Sequence, residues 1–394
     1  MPMNRHCANA YQAVVISDLH IRDGRDDDDF LFDEELADLL LDEGRAQTRE
    51  LVFNGDTFDF VAMSEEDELL HPDPSLGLTE AESEARLERM FAAHTAVFDA
   101  VERFVRDGGR CVFIPGNHDW DLHWTRIQRR LTERIDRTRS GRVQFVLHGA
   151  PYRPVRRVRI DHGHQHIDDQ NRFDHPRRPI RRDPLGGPPR LEQNLGNFLI
   201  RQVLNPVERE FPFINNIRPV NKIQWRPRLW RLIEILSNVY HRAIAHPRLW
   251  TLALRTWLQR PRGTDPETPL MAERLTDLLV DDQTRAVQRA AQRVLKRERR
   301  TQLVVMGHSH EHVSTEHPCN DPFRPHRRAY LNPGAWIPCH NVEDESEPVS
   351  MDDIRAGLPY PYELALTRVI ASRRGAVEGR METFAAGTKW MQAP

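Results

Sequence analysis

Cysteine is scarce in this chain. Four occur in 394 residues (Cys7, Cys111, Cys319 and Cys339), far apart and without CxxC spacing. That excludes a disulfide scaffold or a structural zinc knot and makes a reducing cytoplasm the expected setting. Long apolar runs are missing too. No stretch approaches the roughly 18 to 20 apolar residues that a membrane span needs. Met1 to Ala10 has no apolar core of the kind a secretory signal carries, so none is expected. The charges nearly balance, 56 Lys and Arg against 59 Asp and Glu, for a net −3. A global attraction to nucleic acid is therefore not expected. With 39% hydrophobic and 29% charged residues, the chain reads as a soluble protein long enough to bury a large core.

What is present is a recurrent design. Cys111-Val112-Phe113-Ile114 is a short apolar run, bounded by Gly108-Gly109 and Pro115-Gly116, that runs into Asn117-His118-Asp119. A loop at the end of a buried strand is where a rigid scaffold places chemically active groups. Four more runs end in the same manner. Ala13 to Ser17 leads to Asp18-Leu19-His20, and Leu51-Val52-Phe53 to Gly55-Asp56-Thr57-Phe58-Asp59. Val155 to Ile160 leads to Asp161-His162-Gly163-His164, and Gln302 to Met306 to Gly307-His308-Ser309-His310.

Between these runs the spacing predicts helices over about 30–43, 80–106 and 281–299. It also predicts strands over 143–148 and 155–160 around a turn with Pro151 and Pro154, and a terminal hairpin of 363–370 and 376–384. From 176 to 263 the composition changes, with seventeen Lys or Arg against five Asp or Glu. Trp225, Trp230, Trp250 and Trp257 lie in the same stretch, and prolines at 219, 227 and 247 divide an amphipathic pattern into short helices. The expected organisation is a catalytic core of 11–175 and 264–386 interrupted by a basic, helical cap of 176–263.

Asp18, His20, Asp56, Asn117, His162, His308 and His310 form a ligand set of oxygen and imidazole without thiolate. Such a set suits Mn²⁺, Fe or Zn²⁺. Seven ligands exceed what one tetrahedral ion takes and suit two adjacent ions sharing a carboxylate. Two such ions can hold a bridging hydroxide and clamp a phosphoryl oxygen during in-line attack.

In order and spacing, the five motifs resemble the calcineurin-like metallophosphoesterase family from residue 14 to about 336, apart from the 176–263 insertion. The resemblance implies an α/β fold, a four-layer α/β/β/α sandwich, here with an inserted helical cap. It implies a metal-dependent hydrolase of phosphoric esters or anhydrides with two divalent ions, Mn²⁺ foremost. Asp18, His20 and His310 would hold one ion, Asn117, His162 and His308 the other, and Asp56 would bridge them. His118 would assist the leaving group, oriented by Asp59 or Asp119. The cap and the Gly55–Asp59 motif are also similar to the UDP-2,3-diacylglucosamine hydrolase branch, which commonly has Arg where His118 stands.

The expected substrate is a phosphate monoester or a pyrophosphate-linked small molecule or lipid, with His164, Asp119, Arg177 and Arg181 as candidate contacts. The 176–263 stretch could pack on the core, cap the metals, or touch the inner face of an anionic membrane. A nuclease or cyclic-nucleotide phosphodiesterase, and a non-catalytic metal-binding scaffold at a membrane surface, are the alternatives.

Overall fold

The computed structural model describes residues 11–63, 71–167, 170–209, 211–218, 223–224, 283–317, 328–342, 349–372 and 376–392. From the N-terminus come β1 (Tyr11–Ile16), α1 (Asp33–Arg45), β2 (Glu50–Asn54), β3 (Leu76–Thr79), α2 (Glu80–Ala93), α3 (Thr95–Arg106) and β4 (Arg110–Ile114). Next are α4 (Thr125–Ile135), β5 (Val143–Phe145), β6 (Val158–Ile160), β7 (Ile180–Arg181), β8 (Arg190–Glu192), α5 (Leu195–Leu199), α6 (Asn205–Glu208) and β9 (Ile217–Arg218). After β10 (Ile223–Gln224) follow α7 (Gln283–Arg297), β11 (Leu303–Val305), β12 (His312–His317), β13 (Arg328–Pro333) and β14 (His340–Asn341). The last elements are β15 (Val349–Ser350), α8 (Met351–Ala356), β16 (Leu358–Ala371) and β17 (Val377–Met391).

Two sheets build the core. One has the order β17-β16-β1-β2-β4-β5, the other β12-β13-β11-β6. Side chains alternate across β1, β2 and β4, as the twofold strand period requires. Ala13, Val15, Val52, Val112 and Ile114 face Val158, Ile160, Leu303, Val305 and Leu331 of the second sheet. Val14, Ile16, Leu51, Phe53, Cys111 and Phe113 point the other way, into a layer built by α1, α2, α3 and α4. On the far side of the second sheet, Val287, Ala290, Ala291 and Val294 of α7 pack on Val304, Met306 and Tyr330. The layers are therefore α/β/β/α. Each buried Phe or Leu in such a layer contributes about 1.5–3 kcal/mol.

Pairing along β1, β2, β4 and β5 is parallel, as it is along β6, β11 and β13. Parallel strands end on the same edge, so every motif that follows such a strand arrives on one side of the molecule. The two strands expected around the Pro151–Pro154 turn are shorter than predicted and belong to different sheets: β5 pairs with β4, β6 with β11. The terminal hairpin exists but is longer, pairing Leu358 with Met391 and so passing the expected boundary at 386.

The long helix predicted over 80–106 is two helices. A capping box between Thr79 and Glu82 starts α2, and the backbone leaves helical geometry at His94 (φ −109°, ψ 43°). Periodicity alone cannot show this break, because the apolar spacing continues into α3. The cause is polar. The buried His94 ring turns between Asp33, 2.9 Å from Nδ1, and Asp28, 3.0 Å from Nε2. Burial opposes its protonation, but the two carboxylates win and push it up to about 9. A pKa raised above the ordinary value of about 6.5 means that the stabilisation is full below pH 6.5 or so. It is then lost as pH rises through about 9. The contribution is about 3 kcal/mol. The urea midpoint is expected to fall between about pH 6 and pH 10, and His94→Gln should start lower at pH 6 and lack most of that fall. An unchanged pH response in the variant would remove this role.

The first part of the 176–263 stretch is described. It begins with strand rather than helix: β7 and β8 join β3 in a three-stranded sheet, and α5, α6 and β9 follow. It is tied to the core, since β9 pairs with β14. The short helices expected after Arg226, with Trp225, Trp230, Trp250 and Trp257, lie outside the described residues. Among the described residues no helix is long and apolar enough to cross a membrane.

Candidate metal centre

The five motif loops meet above the parallel strand ends and are laced together by their backbones. Asp18 N donates to Gly55 O at 3.1 Å, His20 N to Asp56 O at 2.9 Å, and Gly307 N to His162 O at 3.0 Å. Trp336, after β13, donates its N–H to Asp18 O at 3.1 Å, and the Asn332 amide reaches Gly307 O and Ser309 Oγ. Nine non-glycine residues among those described have positive φ, and five of them are Asp18, His20, Asp56, His308 and His310. Left-handed backbone at Asp and His costs energy that the surrounding contacts must offset, and such strain gathers at working sites. At Gly116 a Cβ would collide with the Asp56 carboxylate, which is why this position needs glycine.

Two sets of side chains share Asp56, and a third group, His20, Asp59 and His118, lies beside them. Potential ligand atoms of Asp18, His20, Asp56 and His310 lie within 4.8 Å of one another, as do those of Asp56, His162 and His308. His162 Nε2 is 3.2 Å from Asp56 Oδ2, and His310 Nε2 is 3.5 Å from Asp18 Oδ1. The outer nitrogens are occupied, which turns the inner ones toward the centre, where His20 Nε2 lies 3.1 Å from His310 Nε2. His162 Nδ1 bonds Asn54 O at 2.9 Å, and His20 Nδ1 meets Asp59 Oδ2 at 3.0 Å. Supporting partners of this kind fix the ring and leave Nε2 for a metal. Asn117 Oδ1 and His308 Nε2 are buried without a hydrogen-bond partner among the described residues. Orphaned buried acceptors are costly, and a cation is what would satisfy them. The residues therefore fit two divalent ions.

Charge tells the same story. Burial would raise the Asp56 carboxyl, but His162, His118 and His20 hold it well below the usual range. Burial would lower His162, yet Asp56 and Asp18 push it up to about 10. Burial, helped by His162, drops His308 to about 3. Without an ion, a proton on His162 offsets the two carboxylates. A bound cation would replace that proton, since only the neutral ring ligates.

His118 stands at the rim. Its ring contacts His20 edge-on with centroids 4.7 Å apart, and its Nδ1 is 2.9 Å from Asp59 Oδ2. Burial opposes its charge, but Asp59 and Asp56 push it up to about 9. Asp59 is thus the carboxylate that orients His118. Asp119, the other residue suggested for that role and for substrate contact, faces inward, accepting from Gly116 N at 2.6 Å and Thr57 N at 2.8 Å. Burial and Asp56 push its carboxyl up to about 7. His164 is buried beside the second set, its ring 5.3 Å from that of His162. Arg177 and Arg181 are not brought to the centre. Arg181 borders a different cavity, described below.

The sequence reading missed several residues. A cavity of about 150 Å³ opens beside His20, His118 and His310, and Arg22 and Arg218 also line it. Arg22 is buried against Asp29 at 2.5 Å and Glu208 of α6 at 3.0 Å. Arg218 donates to His310 Nδ1 at 2.8 Å. Asn197 of α5 donates to Asn117 O at 2.7 Å. Arg22 follows the Asp-x-His motif closely enough to have drawn notice; the other three carry no local signal.

No curated protein matches the chain. Among solved structures, a dimetal phosphatase from Danio rerio aligns over 95% of this chain and 99% of its own, with 12% identity and a TM-score of 0.34. The calcineurin-like phosphoesterase family profile matches residues 11–221, more than half the chain. With its strand ends converging on two ligand sets, the chain belongs to the calcineurin-like phosphoesterase family and is a metal-dependent phosphoesterase.

Proposed function

We propose that this protein hydrolyses a phosphate monoester or a pyrophosphate-linked substrate with the help of two divalent ions, Mn²⁺ the first choice. The observation that carries the reading is Asp56, whose carboxylate belongs to both ligand sets. Asp18, His20 and His310 would hold one ion, and Asn117, His162 and His308 the other. When bound, the ions supply Lewis-acid stabilisation of the phosphoryl group and acidify water for attack.

The chain's own residues then do the rest. Asp59 accepts the Nδ1–H of His118 and, with Asp56, keeps the ring charged, so its second N–H is available as a donor to the departing oxygen. Arg218 presents a guanidinium to the same cavity, where it would hold a phosphoryl oxygen. The described part of the 176–263 stretch acts as a cap that selects the substrate, a reading supported by the contact of Asn197 with the Asn117 loop.

The test is turnover of p-nitrophenyl phosphate against its bis ester, with Mn²⁺, Zn²⁺ or Fe²⁺ added to the stripped protein. Monoester turnover restored best by Mn²⁺ is expected. Preference for the bis ester would move the reading to a phosphodiesterase, and no turnover with any metal would sink it.

A further inference from the structure

Between residues 176 and 190 the chain carries five arginines and a single acid. The acid, Asp183, is buried, where it accepts from Leu185 N at 2.8 Å and meets His71 Nε2 at 3.2 Å. Arg190 is held by Glu82 at 3.3 Å and by Gly77 O at 2.9 Å. Arg177, Arg178 and Arg182 are exposed and have no acidic partner among the described residues. Near them in the chain stand two exposed aliphatic residues, Ile180 at 43% and Leu185 at 70% exposure. Leu185 sits at the tip of the β7–β8 hairpin, in Pro184-Leu185-Gly186-Gly187.

A solvated basic face needs no exposed leucine at its apex, and the arginines beside it carry a charge complementary to an anionic surface. Both features suit a layer that is apolar beneath and anionic at its surface. Beside the hairpin lies a cavity of about 180 Å³ whose lining includes Arg172, His175, Arg181 and Phe198. Asp174 and Glu192 also border it. Glu192 is already engaged, accepting the backbone N–H groups of Asp174 and His175.

We propose that the β7–β8 hairpin docks the protein on an anionic membrane surface. Leu185 and Ile180 enter the headgroup layer, Arg177, Arg178 and Arg182 contact lipid phosphates, and the adjoining cavity receives one headgroup. Docking is separate from the metal centre and stands whether or not the hydrolytic reading holds.

The experiment is co-sedimentation of the full chain with vesicles of phosphatidylcholine alone or mixed with phosphatidylglycerol. Binding is expected with the anionic vesicles only and should weaken as salt is raised. Each arginine near such a surface is worth roughly a fivefold change in partitioning. The triple variant Arg178→Gln, Arg182→Gln, Leu185→Ser should therefore lose at least about tenfold, with its thermal midpoint unchanged as the folding control. A wild type that ignores anionic vesicles, a variant that binds like wild type, equal binding to neutral vesicles, or tighter binding to single-stranded RNA would each overturn the proposal.

Discussion

Asp56→Asn is expected to cost the protein at least one of its two ions and nearly all of its turnover. The substitution keeps shape and the acceptor oxygen that takes the His118 N–H at 2.8 Å. It removes the charge shared by both ligand sets. Loss of partners outside the coordination shell already costs metal sites 10- to 100-fold in affinity or activity, so a bridging ligand should cost more, on the order of a thousandfold. The same change relieves the field that raises His162, whose protonation competes with metal. Metal analysis of the purified variant beside wild type, with p-nitrophenyl phosphate turnover, gives both readouts. Two ions retained together with wild-type turnover would exclude Asp56 as the bridge.

His118→Gln should separate chemistry from metal binding. Its ring reaches the cavity while Asp59 holds the other nitrogen, so removing it takes away a proton donor but none of the seven candidate ligands. General acid catalysis contributes about 10²- to 10⁴-fold, and kcat is expected to fall within that range with two ions still bound. A substrate whose leaving group needs no proton should be spared most of the loss. Asp59→Asn should give a smaller fall in the same parameter, since it disturbs the orientation of the His118 ring. If metal content drops in His118→Gln as far as it does in Asp56→Asn, His118 is a ligand rather than a donor.

Residue by residue, what could be read in the sequence follows a simple line. Val14, Val52, Val112, Ile160 and Val304 sit in short apolar runs, and a run that stops at Asp-x-His or Gly-Asn-His-Asp announces itself without a partner. The four layers required more. Whether Val15 faces helix or sheet depends on which strands pair, and β6 meets β11 across about 145 residues of chain. The His94 break was hidden because its cause, Asp28 and Asp33, lies more than sixty residues earlier. Arg22 was within sight, but Glu208, 186 residues away, gives it meaning.

The sequence by itself determined the family and named the candidate ligands in order, because those depend on side-chain chemistry and on local apolar runs. Only the tertiary structure decided that Asp59 rather than Asp119 orients His118. It also brought Arg218 to His310 and left Leu185 facing outward. Those are distances between loops far apart in the chain, and the strand pairing beneath them sets them.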